Sequence, residues 1–333
     1  MAGDQVFGAN ASAVNATTMT AGVRVALTVV FGAVSLIGLG GNLVVLGYIL
    51  GKRLYKNYVS SHFIGHLCFT NIVAFVFLMP VFLYNLSHDD DIWEDMNLMC
   101  RLQAYLTCAI WTVMHFMVTC VAGVHLLTFA RIHYEQLFGL PPTMLCCLSW
   151  VIGFALGLPC LTNGNIVVYD DHMHHCIWGA TDSGYKFLTY LLILGVIIPT
   201  VLTWYAYVRV LGILYHSPIV FQALGLYKSR FLVYGFLIRS RSNFRLRHSP
   251  PSANRFRFSP FYQVPFYVSS LSTRGTNEDV WPSVFMFIAY VQCIVSPVFY
   301  GTSLFLMKEE DMALTARANK NTYQHPIVPP QEL

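Results

Sequence analysis

The chain has 333 residues, of which 56% are hydrophobic and only 11% are charged. A soluble domain carries about a quarter charged residues to keep its surface wet, so this composition excludes a soluble globular protein. The formal net charge of +4 is small, which argues against nucleic acid as a partner. The composition indicates a membrane protein, with membrane lipid around it.

Six apolar runs are long enough to cross a bilayer as helices, which requires about 20 residues each. A membrane barrel would instead show alternating segments of about ten residues. The six runs are Val23–Leu50, Val59–Leu83, Leu102–Phe129, Thr143–Leu161, Tyr185–Leu214 and Val280–Met307. They predict an all-α membrane protein.

Charges in the first two loops predict the orientation. The loop Gly51–Tyr58 is basic and the loop containing Asp89–Asp95 is acidic. Because cytoplasmic loops are enriched in Lys and Arg, the amino terminus should be extracellular and the protein should lie in the plasma membrane. The glycosylation sequons at Asn10, Asn15 and Asn85 then lie on the outer side, where we expect them to carry glycans.

Two of the nine cysteines lie clearly outside the apolar runs. Cys100 opens the third run and Cys176 precedes the fifth, both on the oxidising side of the membrane. We therefore predict a disulfide between them that ties the second outer loop to the third helix. The other cysteines lie within or near apolar runs, where cysteine is usually a small hydrophobic residue.

Short motifs stand in a fixed order along these runs. They are Gly41-Asn42-Leu43-Val44-Val45, Trp93 seven residues before Cys100, Trp150 nine before Pro159, Pro199 eight before Tyr207, and Ser296-Pro297-Val298-Phe299-Tyr300-Gly301. This order resembles the rhodopsin-like G-protein-coupled receptors, and within them the melatonin-receptor-like branch. The resemblance implies a seven-transmembrane helix bundle that binds an extracellular ligand and a heterotrimeric G protein, with no cofactor and with a second receptor copy as a further partner.

The resemblance also implies which residues act. Monoamine receptors place an aspartate at the position of Thr107, so a neutral small molecule, a lipid or a short peptide is the expected ligand. Tyr207, Pro297 and Tyr300 should take part in activation, because the two tyrosines meet across the core of related receptors when the helices rearrange. The expected ligand-cavity residues are Thr107, Cys108, Trp111, Leu191, Met286 and Tyr290.

Two positions depart from the family pattern. Asn71 replaces the aspartate of the second helix, and an amide cannot supply the charge that binds sodium there. His125 stands where the family has the arginine of its DRY motif, within Val124-His125-Leu126. A buried neutral histidine at this position predicts altered coupling to the G protein.

The sixth helix is degenerate or missing in the sequence. Residues 215–279 form a basic, atypical segment between the helices of 23–214 and the last helix at 280–307. Five crossings from an outer start end inside, so one more is needed before the last helix. Pro218–Ile238 is the candidate, but Lys228 and Arg230 near its centre each cost about 2.5–3.5 kcal/mol to insert. Residues 1–22 form the expected extracellular tail and 308–333 the cytoplasmic tail.

The sequence is also compatible with functions other than signalling. A receptor-derived protein with impaired signalling is the main alternative, favoured by His125 and the basic segment. A transporter or channel is disfavoured because the six runs contain no interior Asp or Glu. No catalytic constellation indicates an enzyme. His172, His174 and His175 are expected to be solvated loop residues rather than metal ligands.

Overall fold

The computed structural model of the protein describes residues 20–88, 97–130, 132, 134, 139–170, 173–179, 181–216, 267, 282–301 and 304. Six helices in this part of the chain are long and apolar enough to cross a membrane. They are α1 (Ala21–Gly51), α2 (Val59–Ser87), α3 (Asn97–Ala130), α4 (Pro142–Gly157 with Pro159–Thr162), α5 (Asp182–Leu191 through Ile198–His216) and α6 (Pro282–Gly301). The predicted helical membrane fold is confirmed.

Large apolar side chains remain exposed on the flanks of these helices. Ile37 and Val44 on α1 and Trp204 on α5 are each more than half exposed. An apolar surface of this extent is unfavourable in water and is favoured in lipid, where the helical backbone satisfies its own hydrogen bonds. The described helices are therefore built to face hydrocarbon.

Helix α3 lies at the centre of the bundle and packs against α2, α4 and α5. Gly153 and Gly157 allow α4 to approach it closely. A β-carbon at Gly153 would lie 2.8 Å from the carbonyl oxygen of Ala109, and one at Gly157 would lie 3.0 Å from that of Tyr105. Small residues at a helix interface are what permits such packing in a membrane.

Prolines disturb three of the helices. Pro80 follows a π-helical turn at Ala74–Leu78 in α2, and Pro199 follows one at Leu192–Ile197 in α5. Proline has no N–H, so the carbonyl four residues earlier loses its helical hydrogen bond. A π turn is one way for the helix to accommodate that loss. Pro80 is not among the motifs of the sequence analysis, so the π turn in α2 was not predicted.

A two-stranded hairpin connects α4 and α5. Strand β1 (Val167–Asp170) pairs antiparallel with β2 (His175–Trp178), and Tyr169 lies opposite Cys176. The hairpin was not predicted from the sequence, although Val167, Val168 and Tyr169 are residues that favour strands. The side of the bundle that carries it is called the hairpin end below.

Candidate functional site

The hairpin is fastened to helices α2 and α3 by one covalent bond and two hydrogen bonds. Cys100 of α3 forms a disulfide with Cys176 of β2, as predicted. The Cys176 N–H donates to Oε1 of Gln103 at 3.3 Å. Nδ2 of Asn85 on α2 donates to the His174 carbonyl at 3.2 Å. These contacts fix strand β2 directly over the ends of α2 and α3.

His175 points into the bundle, so the expectation of a solvated loop histidine is wrong for this residue. Its side chain is fully buried. Nδ1 lies 2.9 Å from the Cys176 carbonyl, which can only accept, so Nδ1 carries the proton. Nε2 then accepts from the Tyr290 hydroxyl of α6 at 3.4 Å. Among the described residues no three His, Cys, Asp or Glu side chains come together as a metal site would need.

Protonation of His175 should destabilise the protein in mild acid. Burial lowers the pKa of His175 to about 4, and the hydrogen bond to Cys176 raises it by less. Because an unfolded histidine has a pKa of about 6.5, only the unfolded chain gains a proton just below that pH. The free energy of unfolding is therefore highest well above pH 6.5 and is lower by about 1 kcal/mol at pH 5.5. Melting temperatures in detergent at pH 7.5 and 5.5 should differ less in a His175→Gln variant, and an equal difference would contradict this assignment.

The six expected ligand-cavity residues are all buried, each with 1% or less of its surface exposed. The structure brings Trp111 of α3 and Tyr290 of α6 together in an edge-to-face contact with ring centroids 6.1 Å apart. The Thr107 hydroxyl donates to the Gln103 carbonyl of its own helix at 2.9 Å. The sulfur of Cys108 lies 3.9 Å from that of Cys160 on α4. The remaining expected cavity residues, Leu191 and Met286, lie in the same buried core.

Tyr267 is a core residue that the sequence analysis missed. Its ring stacks on Trp178 of β2 at 6.0 Å and meets the edge of Trp111 at 6.1 Å. The only sequence signal is the aromatic run Phe261–Val268 within the segment assigned as basic and atypical. Helix α5 starts at the hairpin end and runs away from it, whereas Tyr267 lies at that end. Pro218–Ile238 lies outside the described residues.

Hydrogen bonds of two asparagines link α1, α2 and α6 in the core of the bundle. Nδ2 of Asn42 donates to the carbonyls of Gly38 at 2.8 Å and of Cys293 at 2.9 Å. Nδ2 of Asn71 donates to Oδ1 of Asn42 at 2.9 Å. Asn71 therefore serves as a neutral partner of Asn42 within a buried network, where no water competes for these groups.

Two tyrosines meet at the end of the bundle opposite the hairpin. The hydroxyls of Tyr207 on α5 and Tyr300 on α6 face each other closely enough to interact. Tyr207 packs against Ala122 of α3, three residues before the buried His125. Pro297 lies one helical turn before Tyr300. The structure thus brings Tyr207 and Tyr300 together, next to the part of α3 that carries Ala122.

The structure argues against the glycan predicted at Asn85. Asn85 lies in α2, has 2% of its surface exposed, and uses its amide nitrogen to contact His174. A glycan must be attached to that same nitrogen, so the folded hairpin and a glycan at Asn85 exclude each other. Asn10 and Asn15 lie outside the described residues.

We accordingly expect an Asn85→Gln variant to migrate like the wild type on a denaturing gel before and after glycosidase treatment. Asn10→Gln and Asn15→Gln each remove an expected glycan, so each variant should migrate faster than the wild type before treatment. After treatment both variants should migrate at the same position as the wild type. A faster band for Asn85→Gln alone before treatment would overturn the correction at Asn85.

Comparison with known proteins identifies the family. The family model of the seven-transmembrane receptors of the rhodopsin family matches residues 41–223. The chain belongs to this family. The receptor is 32% identical over 97 residues to the neuropeptide Y receptor type 1 of Xenopus laevis, a match that spans 29% of this chain and 25% of that relative. Neither comparison supports the resemblance to the melatonin-receptor-like branch.

Proposed function

We propose that this protein is a G-protein-coupled receptor of the plasma membrane that responds to an extracellular ligand. The observation that carries the proposal is the contact between Tyr207 and Tyr300, which joins α5 to α6 at the end opposite the hairpin. A G protein reaches the cytoplasmic end of the helices, so a tyrosine contact there can differ between two helix arrangements that bind it unequally. Membership of the rhodopsin family supports this role.

The hairpin end is proposed to face the outside. The disulfide between Cys100 and Cys176 forms only where conditions are oxidising, which supports that orientation. The basic loop with Lys52, Arg53 and Lys56 is at the other end, as the positive-inside rule requires. The amino terminus with Asn10 and Asn15 is then extracellular.

A short peptide is the ligand class that we favour over a neutral small molecule or a lipid. The relative from Xenopus laevis is by its name a receptor for a neuropeptide. The acidic residues Asp89–Asp95 would attract a basic peptide to the hairpin end. Thr107 provides no carboxylate for an amine, which argues against a monoamine. The second candidate is an indole amide, the ligand type of the melatonin-receptor-like branch. It is supported only by the motif Ser296–Gly301.

Activation of purified heterotrimeric G proteins by the receptor in membranes tests the proposal. A panel of basic peptides, lipids and an indole amide should contain a compound that accelerates nucleotide exchange. The Tyr300→Phe variant removes only the hydroxyl that contacts Tyr207 and should reduce that response. Tyr205→Phe is the matched control, because Tyr205 is exposed on the flank of α5 and should leave the response unchanged.

Two results would contradict the proposal. A receptor that reaches the cell surface but activates no G protein with any member of the panel would contradict receptor signalling. An equal response in wild type and Tyr300→Phe would show that the tyrosine contact plays no part in signalling.

A further inference from the structure

The centre of the expected ligand cavity is filled by the chain itself. All four residues of β2 are buried, and the His175 imidazole lies where it contacts Tyr290, one of the expected cavity residues. The Trp178 ring reaches Trp111 indirectly, through the ring of Tyr267. The hairpin therefore makes the polar and aromatic contacts that a bound ligand would otherwise make there.

The contact between His175 and Tyr290 joins the hairpin to the helix that carries Tyr300. Tyr290 and Tyr300 both lie in α6, ten residues or about 15 Å apart along the helix axis. Tyr290 meets the hairpin at one end, and Tyr300 meets α5 at the other. Both residues lie in one continuous helix, with Pro297 between them, so a displacement of Tyr290 is transmitted to Tyr300 through the helix backbone.

We propose that strand β2 is an intramolecular ligand, which occupies the cavity through His175 and sustains basal signalling by holding Tyr290. This inference rests on the proposed function, since it names the resident occupant of the same cavity. Strand β2 is held in place for this role by the disulfide and by the hydrogen bond from Cys176 to Gln103. An extracellular peptide then acts on a receptor whose resting activity is already set by its own chain.

Basal G-protein activation by variants of the full-length receptor tests the inference, with each activity divided by the amount of receptor at the surface. His175→Ala removes the imidazole, and Tyr290→Phe keeps the ring but removes its hydroxyl. Each should lower basal activity about fivefold, the loss expected for one buried hydrogen bond. The double variant should be no lower than the lower of the two single variants, because both remove one shared contact. His88→Ala is the matched control, since His88 is exposed at the same end of the bundle.

Imidazole distinguishes occupancy of the cavity from a loss of structure. A buried cavity left by truncation can bind a small molecule of the missing shape. Millimolar imidazole should therefore restore basal activity to His175→Ala but not to Tyr290→Phe, which has no cavity of that shape. Failure of imidazole to restore His175→Ala would overturn the inference, as would unchanged or higher basal activity in both single variants.

The outcome also separates this inference from the proposed function. A wild-type receptor that signals only when a ligand is added retains the proposed function and refutes the intramolecular ligand. A receptor that activates no G protein under any condition refutes both. Loss of basal activity in Tyr290→Phe, with the response to an added ligand intact, supports both.

Discussion

Replacement of Cys100 or Cys176 by serine should reduce surface expression to the same extent. The two cysteines are bonded to each other across a separation of 76 residues. Losing a disulfide that closes a loop of this size destabilises a folded protein by about 2–5 kcal/mol. The loss releases strand β2, so His175 and Trp178 would also leave their buried positions. Flow cytometry of intact cells with an amino-terminal epitope measures the effect.

The double variant and a distant cysteine provide the controls for this prediction. Cys100→Ser with Cys176→Ser should be no worse than either single variant, because only one bond is lost in each case. Cys147→Ser should match the wild type, since Cys147 is an exposed free thiol on α4. Wild-type expression of either single variant would contradict a structural role for the disulfide.

The membrane helices could be predicted because their signal is local. An apolar run such as Val23–Leu50 must form its own backbone hydrogen bonds in lipid, so its composition determines its structure without reference to partners. The disulfide was also predictable, because Cys100 and Cys176 stand outside the apolar runs.

The contents of the candidate site could not be predicted, because they depend on contacts between distant segments. His175 and His174 are neighbours in one polar loop, and only the pairing of β1 with β2 and the disulfide turn His175 inward. Tyr267 was missed because the charges around it outweighed a short aromatic run. Asn85 reads as a glycosylation sequon until the hairpin is placed over it. In each case the local pattern is consistent with both an exposed and a buried side chain.

The hairpin and the tyrosine contact share helix α6. The hairpin rests on α2, α3 and α6, whereas the tyrosines join α5 and α6. Helix α3 packs against α5. The hydroxyl oxygens of Thr119 on α3 and Thr203 on α5 lie 2.9 Å apart. Helix α4 approaches α3 closely at Gly153, so we expect this contact to constrain the position of α3.

The substitution Gly153→Ala should destabilise the receptor, whereas the same change at Gly40 should not. The new β-carbon at Gly153 would lie 2.8 Å from the Ala109 carbonyl oxygen and 2.9 Å from a methyl of Val113, so the backbones of α3 and α4 must separate. Overpacking of this kind costs about 1–3 kcal/mol. At Gly40 no atom lies within 4 Å of the new methyl group, so it meets only lipid. Thermal unfolding in detergent should give a lower melting temperature for Gly153→Ala and an unchanged one for Gly40→Ala. Equal melting temperatures for the two variants would show that α4 does not determine the position of α3.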